Sequence, residues 1–370
     1  MLDKGRISSV QLLFLLLIVQ DATAFLAVPS LAAQAAGPDA WLSNIFFVSL
    51  FGLIVGSIGV SLAKRFPDET LTEYLPKIVG KPVGKILIFV YCFAFIHLAS
   101  VVLAEESDFM HVNFFRETPL LSLDLLLIIA VAYGVYLGIE VIARQNEIAF
   151  PVFFLAIISL LIMVSPNIEM LNLLPIMENG LWPVLEGSIL PATWRGEIFF
   201  ILMLFPYLDQ KEEANKIIIY SIIITTILST LVIITCIGVL TAEVVKTEIY
   251  PVFRLARYIS LARLLERLEI LVVVIWVAGA VIKLAVFLHS GCIASANLLG
   301  IKNWRIMIIP FVLTMIIVSH FFYDTYPKLI GFLTGIWPVY ALTIELLIPG
   351  LVLIIAVLRK KGANNIAQIK

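Results

Sequence analysis

Residues 14–33 read FLLLIVQDATAFLAVPSLAA, an apolar run with Asp21 near its middle. A second run, WRGEIFFILMLFPY at residues 194–207, carries Glu197 close to its start. A charged side chain inside a membrane span costs about 2.5–3.5 kcal/mol on insertion scales, so acids in such spans usually have a function. Paired interruptions of this kind, one in each half of a membrane protein, are the best sequence indication of a transporter-type binding site.

The composition of the chain predicts a polytopic membrane protein. Of its 370 residues, 61% are hydrophobic and 14% are charged, and the mean hydropathy is +1.07. Soluble domains carry about 25% charged residues, and no soluble fold hides this much apolar surface. The net charge of -1 provides no basic field, so we expect no nucleic-acid partner. The three cysteines, Cys92, Cys236 and Cys292, lie in apolar runs, which indicates reduced packing residues.

We predict ten transmembrane helices, because one span needs about 20 apolar residues. The first apolar run follows two basic residues, as the core of a signal peptide does, but it is too long for one, and we interpret it as a retained helix. With ten spans, both termini lie on the same side of the lipid bilayer. The predicted spans cover residues 8–35, 41–63, 84–104, 120–143, 146–165, 194–209, 217–241, 268–297, 304–322 and 332–358.

The distribution of charge predicts that both termini are cytoplasmic. With the N-terminus inside, most basic residues fall in inside segments, and the outer loop at 166–193 contains glutamates but no lysine or arginine. The exception is segment 251–267, where arginines recur at helical spacing opposite apolar residues. We predict an amphipathic helix along the outer interface there, which either packs locally or docks a partner protein.

The spans form a single transmembrane domain, 1–370, with a first half at 8–165 and a second half at 194–358. Each half contains five spans, so the two halves enter the membrane from opposite sides. This arrangement predicts an all-α, five-plus-five inverted repeat in which the first and sixth helices are broken.

The two interruptions supply most of the predicted ligand-binding residues. Small neighbours of Asp21 allow a ligand or helix to approach closely, and an unwound backbone must find partners in a cavity. At the second interruption a glycine permits unusual backbone geometry, and phenylalanines supply a wall. The alternatives are that Asp21 pairs with a buried cation in a static core and that Arg195 and Glu197 cap the span at the outer interface. The residues assigned to ligand binding here are Asp21, Ala22, Thr23, Gly196, Glu197 and Phe200.

Two other spans contribute candidates. Lys283 lies well inside the eighth span, where it either supplies a fixed positive charge in place of a coupling cation or forms a structural ion pair. Its candidate partners are Asp21, Glu197 and Glu345. His97, one turn after Phe93, is either a core histidine or part of the pocket. We assign Phe93, His97, Lys283 and Phe287 to the ligand-binding site.

The sequence contains no enzyme signature. Glycine-rich phosphate loops, HExxH, GxSxG and paired CxxC motifs are all absent. We therefore predict a non-enzymatic protein with no catalytic residue, no cofactor and no metal site.

A set of short stretches runs in a consistent order over nearly the whole chain. The most specific is FPDETLTEYLPKIVGKPVGKIL at 66–87. The others are Ile7-Ser8, Gln11, Pro29-Ser30, Asp39-Ala40-Trp41, GIEVIAR at 138–144, GEIFFILMLFP at 196–206, Tyr250-Pro251, ERLEI at 266–270, Trp276 and Lys283. Together they resemble the B subunit of bacterial spore germinant receptors, a branch of the amino acid–polyamine–organocation transporter superfamily.

This resemblance implies a ten-helix inverted-repeat fold like that of amino-acid/sodium symporters, and nutrient sensing in the inner membrane of the dormant spore. It implies a receptor A subunit and a C-subunit lipoprotein as partners. Lys283 matches a lysine that is typical of the family's eighth span. The family usually has a glycine near the first break, where this chain has Asp21, and the departure favours a cationic ligand.

Our interpretation is a germinant-receptor membrane subunit that binds a small nutrient, such as an amino acid, between the broken first and sixth spans and so triggers germination. It would be a multi-pass protein of the spore inner membrane or bacterial cell membrane. The alternative is an amino-acid permease coupled to protons through Lys283 or a carboxylate. A third hypothesis is a mainly structural scaffold of a receptor complex.

Overall fold

The computed structural model describes residues 5–258 and 268–366 and is built almost entirely from helices. Within those ranges, nine helical segments are long and apolar enough to cross a membrane, and the shorter apolar helix Ser9–Asp21 precedes them. An isolated parallel β-bridge joins Ile7 to Leu208. The all-helical membrane architecture that the composition predicts is confirmed.

The first membrane span consists of two short helices, α1 (Ser9–Asp21) and α2 (Ala24–Ala36). A capping box begins α1, in which Ser8 and Gln11 exchange side-chain-to-backbone hydrogen bonds. A turn at residues 22–23 then separates the two helices. The predicted break in the first span is therefore confirmed.

A turn at Gly37 reverses the chain after α2. Its φ of 54° lies in the left-handed region that glycine adopts without strain. The apolar segment Ala24–Ala63 has 40 residues and would be about 60 Å long as one straight helix, twice the thickness of a bilayer's hydrocarbon core. Helices on both sides of the turn pack against the same later helix, Trp182–Gly196, so the segment forms the end of one span and the whole of the next.

The remaining helices follow in chain order, and several spans contain short turns of 3₁₀ or π type. The α-helices are α3 (Ala40–Ser43), α4 (Ser49–Ala63), α5 (Leu71–Val79), α6 (Lys81–Asn113), α7 (Leu120–Leu137), α8 (Ile139–Val164), α9 (Trp182–Gly196), α10 (Ile201–Leu204), α11 (Ala214–Leu240), α12 (Ala242–Val245), α13 (Pro251–Tyr258), α14 (Leu268–Leu299), α15 (Ile308–Phe322), α16 (Tyr326–Gly335), α17 (Trp337–Ala341), α18 (Ile348–Leu358) and α19 (Ala363–Ile366). The 3₁₀ turns are Gly37–Asp39, Ser165–Asn167, Met170–Leu173, Glu197–Phe200, Phe205–Tyr207, Lys211–Glu213 and Trp304–Met307, and the π turns are Asn44–Val48 and Leu342–Leu347.

The sixth span changes its winding at the second predicted break. Helix α9 ends at Gly196, and 3₁₀ turns at Glu197–Phe200 and Phe205–Tyr207 flank the short helix α10. A 3₁₀ stretch inside a helix has poorer hydrogen-bond geometry and often marks a functional hinge. This second break is thus a change of helix type, whereas the first is a two-residue turn.

The sixth and eighth spans lie at the centre of the protein. In each of them 83% of the most apolar 18-residue window is buried, whereas in the ninth span, Trp304–Phe322, the share is 22%. The central helix α14 packs against α6, α7 and α8, and α9 packs against α2. Apolar side chains of the outer helices stay exposed, as expected for surfaces that face lipid tails.

The helix bounds differ from the predicted spans in informative places. Helix α6 continues past the predicted end at 104, because the acidic residues that follow are buried inside it. Helix α9 begins at Trp182, so the predicted start of the second half at 194 falls inside a helix. The tenth span begins at Tyr326 and is interrupted between α16 and α17.

The predicted amphipathic helix at 251–267 is described over its first part. Helix α13 covers residues 251–258, with Val252 and Leu255 buried and Arg254 exposed. Residues 259–267 lie outside the described part of the chain, so the full length of this helix stays a prediction.

Candidate ligand-binding site

An ion pair at the centre of the protein joins the sixth and eighth spans. Lys283 Nζ lies 2.7 Å from Glu197 Oε2, and neither side chain is exposed by more than a few per cent. The same nitrogen donates to the Thr23 hydroxyl at 3.0 Å. The break in the first span, the 3₁₀ turn of the sixth and the middle of the eighth therefore meet at one ammonium group.

Two tryptophans hold the break in the first span. Trp276 Nε1 donates to the Ala22 carbonyl at 2.7 Å, and Trp194 Nε1 donates to the Thr23 hydroxyl at 3.0 Å. A carbonyl released from a helix inside a membrane needs such a partner, because no water is available. The turn at residues 22–23 is therefore a stable part of the structure, fixed by donors from the sixth and eighth spans.

Asp21 faces a different polar group. Its Oδ1 atom lies 3.7 Å from Nη1 of Arg195, and Nη2 of Arg195 donates to the Ser229 hydroxyl at 2.9 Å. Neither carboxylate oxygen of Asp21 has a hydrogen-bond partner among the described residues. Asp21 thus lies beside a buried cation, as one of the two sequence hypotheses stated, although the pair is too long for a direct hydrogen bond.

Stacked phenylalanines form one side of the central site. The rings of Phe200 and Phe287 stack with centroids 4.3 Å apart, and Lys283 Nζ lies 5.5 Å from the Phe287 ring centre. Phe95 and Phe199 extend this aromatic group toward the third span. The predicted residues Phe200 and Phe287 are therefore brought together with Lys283.

Gly196 lies against the tenth span. A Cβ atom at this position would collide with the Glu345 carboxylate and would come 2.7 Å from the Phe51 ring. Glu345 is fully buried in the π turn Leu342–Leu347, and neither of its oxygens has a hydrogen-bond partner in the described residues. The absence of a side chain at Gly196 thus lets a buried carboxyl group approach the sixth span.

Two predicted site residues lie elsewhere. The Phe93 side chain is 54% exposed on the outer face of α6, and His97 Nε2 lies 2.8 Å from the Tyr323 hydroxyl. His97 also packs against Phe332 and Tyr340, in the region of the tenth span. The structure therefore brings Asp21, Ala22, Thr23, Gly196, Glu197, Phe200, Lys283 and Phe287 to the central region, and it places Phe93 and His97 apart from it.

The sequence reasoning missed two acids in the third span. Glu105 is 8% exposed and Glu106 is fully buried, and neither oxygen of Glu106 has a hydrogen-bond partner in the described part. The positive charge of Lys283 interacts with both carboxyl groups. The available signal was the adjacent pair of glutamates directly after the third predicted span, 84–104.

Buried acids outnumber buried bases in this region. Among the described residues, Arg195 and Lys283 are the buried arginine and lysine side chains. The buried acids around them are Asp21, Glu105, Glu106, Glu197 and Glu345. Each unpaired charge in such a place costs several kcal/mol, so the surplus acids must hold protons or await a cation. No described group of three or more His, Cys, Asp or Glu residues has the geometry of a metal site.

The central site is closed in this conformation. A cavity of about 20 Å³ lies beside Thr23 and Glu105, and one of about 10 Å³ lies beside Gln20 and Arg195. A single water needs roughly 10–15 Å³ of such volume, so neither cavity admits a nutrient molecule as it stands. Ligand entry must therefore be accompanied by movement of the surrounding helices.

A backbone contact closes one end of the site. The Ile7 N–H donates to the Tyr207 carbonyl at 2.9 Å, and the Asp209 N–H donates to the Ile7 carbonyl at 3.1 Å. The hydroxyl of Ser9 donates to Gln210 Oε1 at 2.9 Å. The start of the first span is thus fastened to the end of the sixth, on the side that holds the N-terminus.

Comparison with known proteins identifies relatives over nearly the whole chain. Residues 6–326 match the family model described as "Spore germination protein". Spore germination protein KB of Bacillus subtilis (strain 168) is 26% identical over 365 residues, which is 97% of this chain and 97% of that protein. Spore germination protein XB of Bacillus anthracis is 30% identical over 251 residues, 67% of this chain and 69% of that protein.

A solved structure shares the fold. MhsT in complex with L-phenylalanine matches with a TM-score of 0.75 and 13% sequence identity, and the match covers 96% of this chain and 90% of MhsT. At that identity the likeness concerns the fold alone. It confirms the transporter-like architecture that the two interrupted spans predict.

Proposed function

The chain belongs to the spore germination protein family, and on that basis we propose that it is a membrane subunit of a germinant receptor that binds a small nutrient, such as an amino acid, in the central site. It is a multi-pass membrane protein. The proposal includes a place in the spore inner membrane, with both termini in the cytoplasm, and no catalytic activity.

The observation that carries the proposal is the buried contact of Lys283 with Glu197 and Thr23. Replacing a buried ion pair by apolar residues of similar volume is often neutral or stabilising by about 1–4 kcal/mol, so stability alone explains it poorly. Ionisable residues deep in a membrane protein usually mark a ligand or ion pathway. Here they stand where two interrupted spans meet, which is where transporter folds place their substrate.

The mechanism follows from the closed state of the site. A nutrient binds a conformation in which the helices around Thr23 and Lys283 have separated, and it stabilises that conformation by its higher affinity for it. The backbone hydrogen bond between Ile7 and Tyr207, which joins the first span to the sixth, changes as the two halves move. A receptor A subunit and a C-subunit lipoprotein would detect this movement and pass the signal on.

The second candidate is an amino-acid permease coupled to protons. The fold shared with MhsT over 96% of the chain favours it, together with the surplus of buried acids. Uptake of radiolabelled amino acids by the purified protein in liposomes separates the two functions. Sustained uptake driven by a pH gradient, without any partner protein, supports the permease, and binding without uptake supports the sensor.

The direct test of the receptor proposal is a thermal-shift screen of the purified chain against amino acids, sugars and nucleosides. A ligand that binds the folded state raises stability by RT ln(1 + [L]/Kd), about 2.7 kcal/mol at a hundredfold excess over Kd. A binding nutrient should lose its effect in a Lys283→Met variant. If no compound of these classes shifts the unfolding of the wild-type chain, the nutrient-binding proposal fails.

A further inference from the structure

We infer, on the premise of the proposed function, that Glu105 is the acceptor for an ammonium group of the ligand. The ligand enters past Tyr250 and Tyr326, and its class is a small primary amine or amino acid with an apolar side chain.

Glu105 lies where a ligand would meet the broken first span. It and Thr23 line the same cavity of about 20 Å³, whose other walls come from α2, α16 and the loop before α13. The Glu105 side chain is more than nine-tenths buried, so its carboxyl group is directed into the protein. Of the two small cavities described beside the first break, this one has a carboxyl group in its lining and the other does not.

The acidic side chains around the cavity favour the binding of a cationic ligand. The charges of Glu106 and Glu197 interact with that of Glu105, whose carboxyl group has the Thr23 side chain as a hydrogen-bond partner, and Lys283 is in direct contact with Glu197. No described arginine or lysine forms an ion pair with Glu105 itself. A ligand ammonium group in the cavity would thus supply a positive charge that the chain provides only in part. Charge-assisted hydrogen bonds of this kind are roughly twice as strong as neutral ones.

The tyrosines at the entrance are neutral. Burial, followed by the neighbouring Asp108 carboxylate, raises the pKa of Tyr250 well above its usual value. Tyr250 donates its hydroxyl hydrogen to Asp108 at 2.8 Å, so the Asp108 carboxylate already has a partner. Glu105 is therefore the acidic side chain that lines the cavity, and the tyrosines act as polar, uncharged walls.

The rest of the cavity lining is apolar and favours a ligand with an apolar side chain. Leu26 and Ala27 come from α2, and Leu329, Ile330 and Leu333 come from α16. Helix α16 ends at Gly335 and α17 begins at Trp337, so α16 forms a short half-span. Outward movement of this half-span would enlarge the cavity without disturbing the rest of the tenth span. The walls then bury the apolar surface of a ligand side chain, which favours binding.

The test measures binding of matched compounds to the full-length chain in lipid nanodiscs by isothermal titration calorimetry. One series is L-phenylalanine, 2-phenylethylamine and 3-phenylpropionate, and the second is L-valine, isobutylamine and isovalerate. In at least one series we expect the amino acid and the amine to bind at least tenfold more tightly than the acid, which lacks the ammonium group. Equal or tighter binding of the acid would overturn the assignment.

Binding of the amine to two protein variants is the second part of the test. Glu105→Gln should weaken binding of the amine at least tenfold, whereas Glu243→Gln, at an exposed acid on α12, should leave it unchanged. Undiminished amine binding by Glu105→Gln contradicts the proposal. If this variant does not fold, the ligand series on the wild-type chain still decides.

Failure of this inference can be told apart from failure of the proposed function. If sugars or nucleosides bind the wild-type chain and no ammonium compound does, the receptor function stands and the role of Glu105 is refuted. If nothing in either panel binds, both proposals fall.

Discussion

Lys283 and Glu197 form a completely enclosed ion pair, with Nζ 2.7 Å from Oε2, at the level where the first span is broken. Removing one partner leaves the other charged and buried, at a cost of about 3–5 kcal/mol. We therefore expect Lys283→Met to lower the free energy of unfolding by an amount of this order. The measurement is thermal or denaturant unfolding of the purified protein in detergent.

The matched control for this variant is the double change Lys283→Met with Glu197→Gln. Because it removes both charges, it should recover much of the lost stability, although ligand binding should remain absent. A double variant that is no more stable than Lys283→Met alone would show that the two side chains do not act as a pair.

Gly196 allows the Glu345 carboxyl group to lie against the sixth span. In Gly196→Ala the new methyl group meets this fully buried carboxyl group and the Phe51 ring. Overpacking of a core costs about 1–3 kcal/mol, so the apparent melting temperature should fall. Adding Glu345→Ala removes the obstructing carboxyl group and should restore part of the loss.

A glycine of the same half of the chain serves as the control. A Cβ atom at Gly331, in α16, would have no heavy atom within 4 Å. Gly331→Ala should therefore be neutral or slightly stabilising, since alanine favours a helix over glycine by about 1 kcal/mol. Equal losses in the two alanine variants would mean that close packing at Gly196 is unimportant.

The charged residues of the centre were predictable from sequence because a charge inside an apolar run is visible by itself. Asp21, Glu197 and Lys283 were identified in this way, and all three are buried near the first break. Glu105 and Glu106 were missed, because adjacent acids late in an apolar run also mark the end of a span. Only the packing of α6 against α14 reveals that the helix continues and that these acids are inside.

The side of a helix that faces the site was not predictable. In a membrane protein both the lipid-facing and the core-facing sides of a helix are apolar, so sequence periodicity carries little information. Helix α6 illustrates this, because Phe93 faces outward while Phe95 lies fully buried against Phe200. Assigning Phe93 and His97 to the pocket required knowledge of the rotation of α6 about its axis.

The placement of these aromatic residues leads to a prediction about binding. Phe200→Leu should reduce the affinity for a nutrient found in the thermal-shift screen, because Phe200 stacks on Phe287 beside Lys283. Phe93→Leu makes the same change on the exposed face of α6 and should alter that affinity by no more than about twofold. In free energy of binding, twofold is less than half of the 1.4 kcal/mol that corresponds to tenfold. Titration calorimetry on both variants measures the difference in affinity. If both variants lose affinity equally, Phe93 belongs to the ligand-binding site after all.

Trp276 supplies the donor on which the first break depends. Its indole N–H donates to the Ala22 carbonyl at 2.7 Å, and both groups are buried. Trp276→Phe keeps most of the ring but leaves that carbonyl without this partner, which costs about 1–3 kcal/mol. Trp182→Phe, at an indole that is 73% exposed, makes the same chemical change and should have little effect on unfolding. If Trp276→Phe is as stable as this control, the turn at residues 22–23 does not need the indole, and another group must satisfy the Ala22 carbonyl.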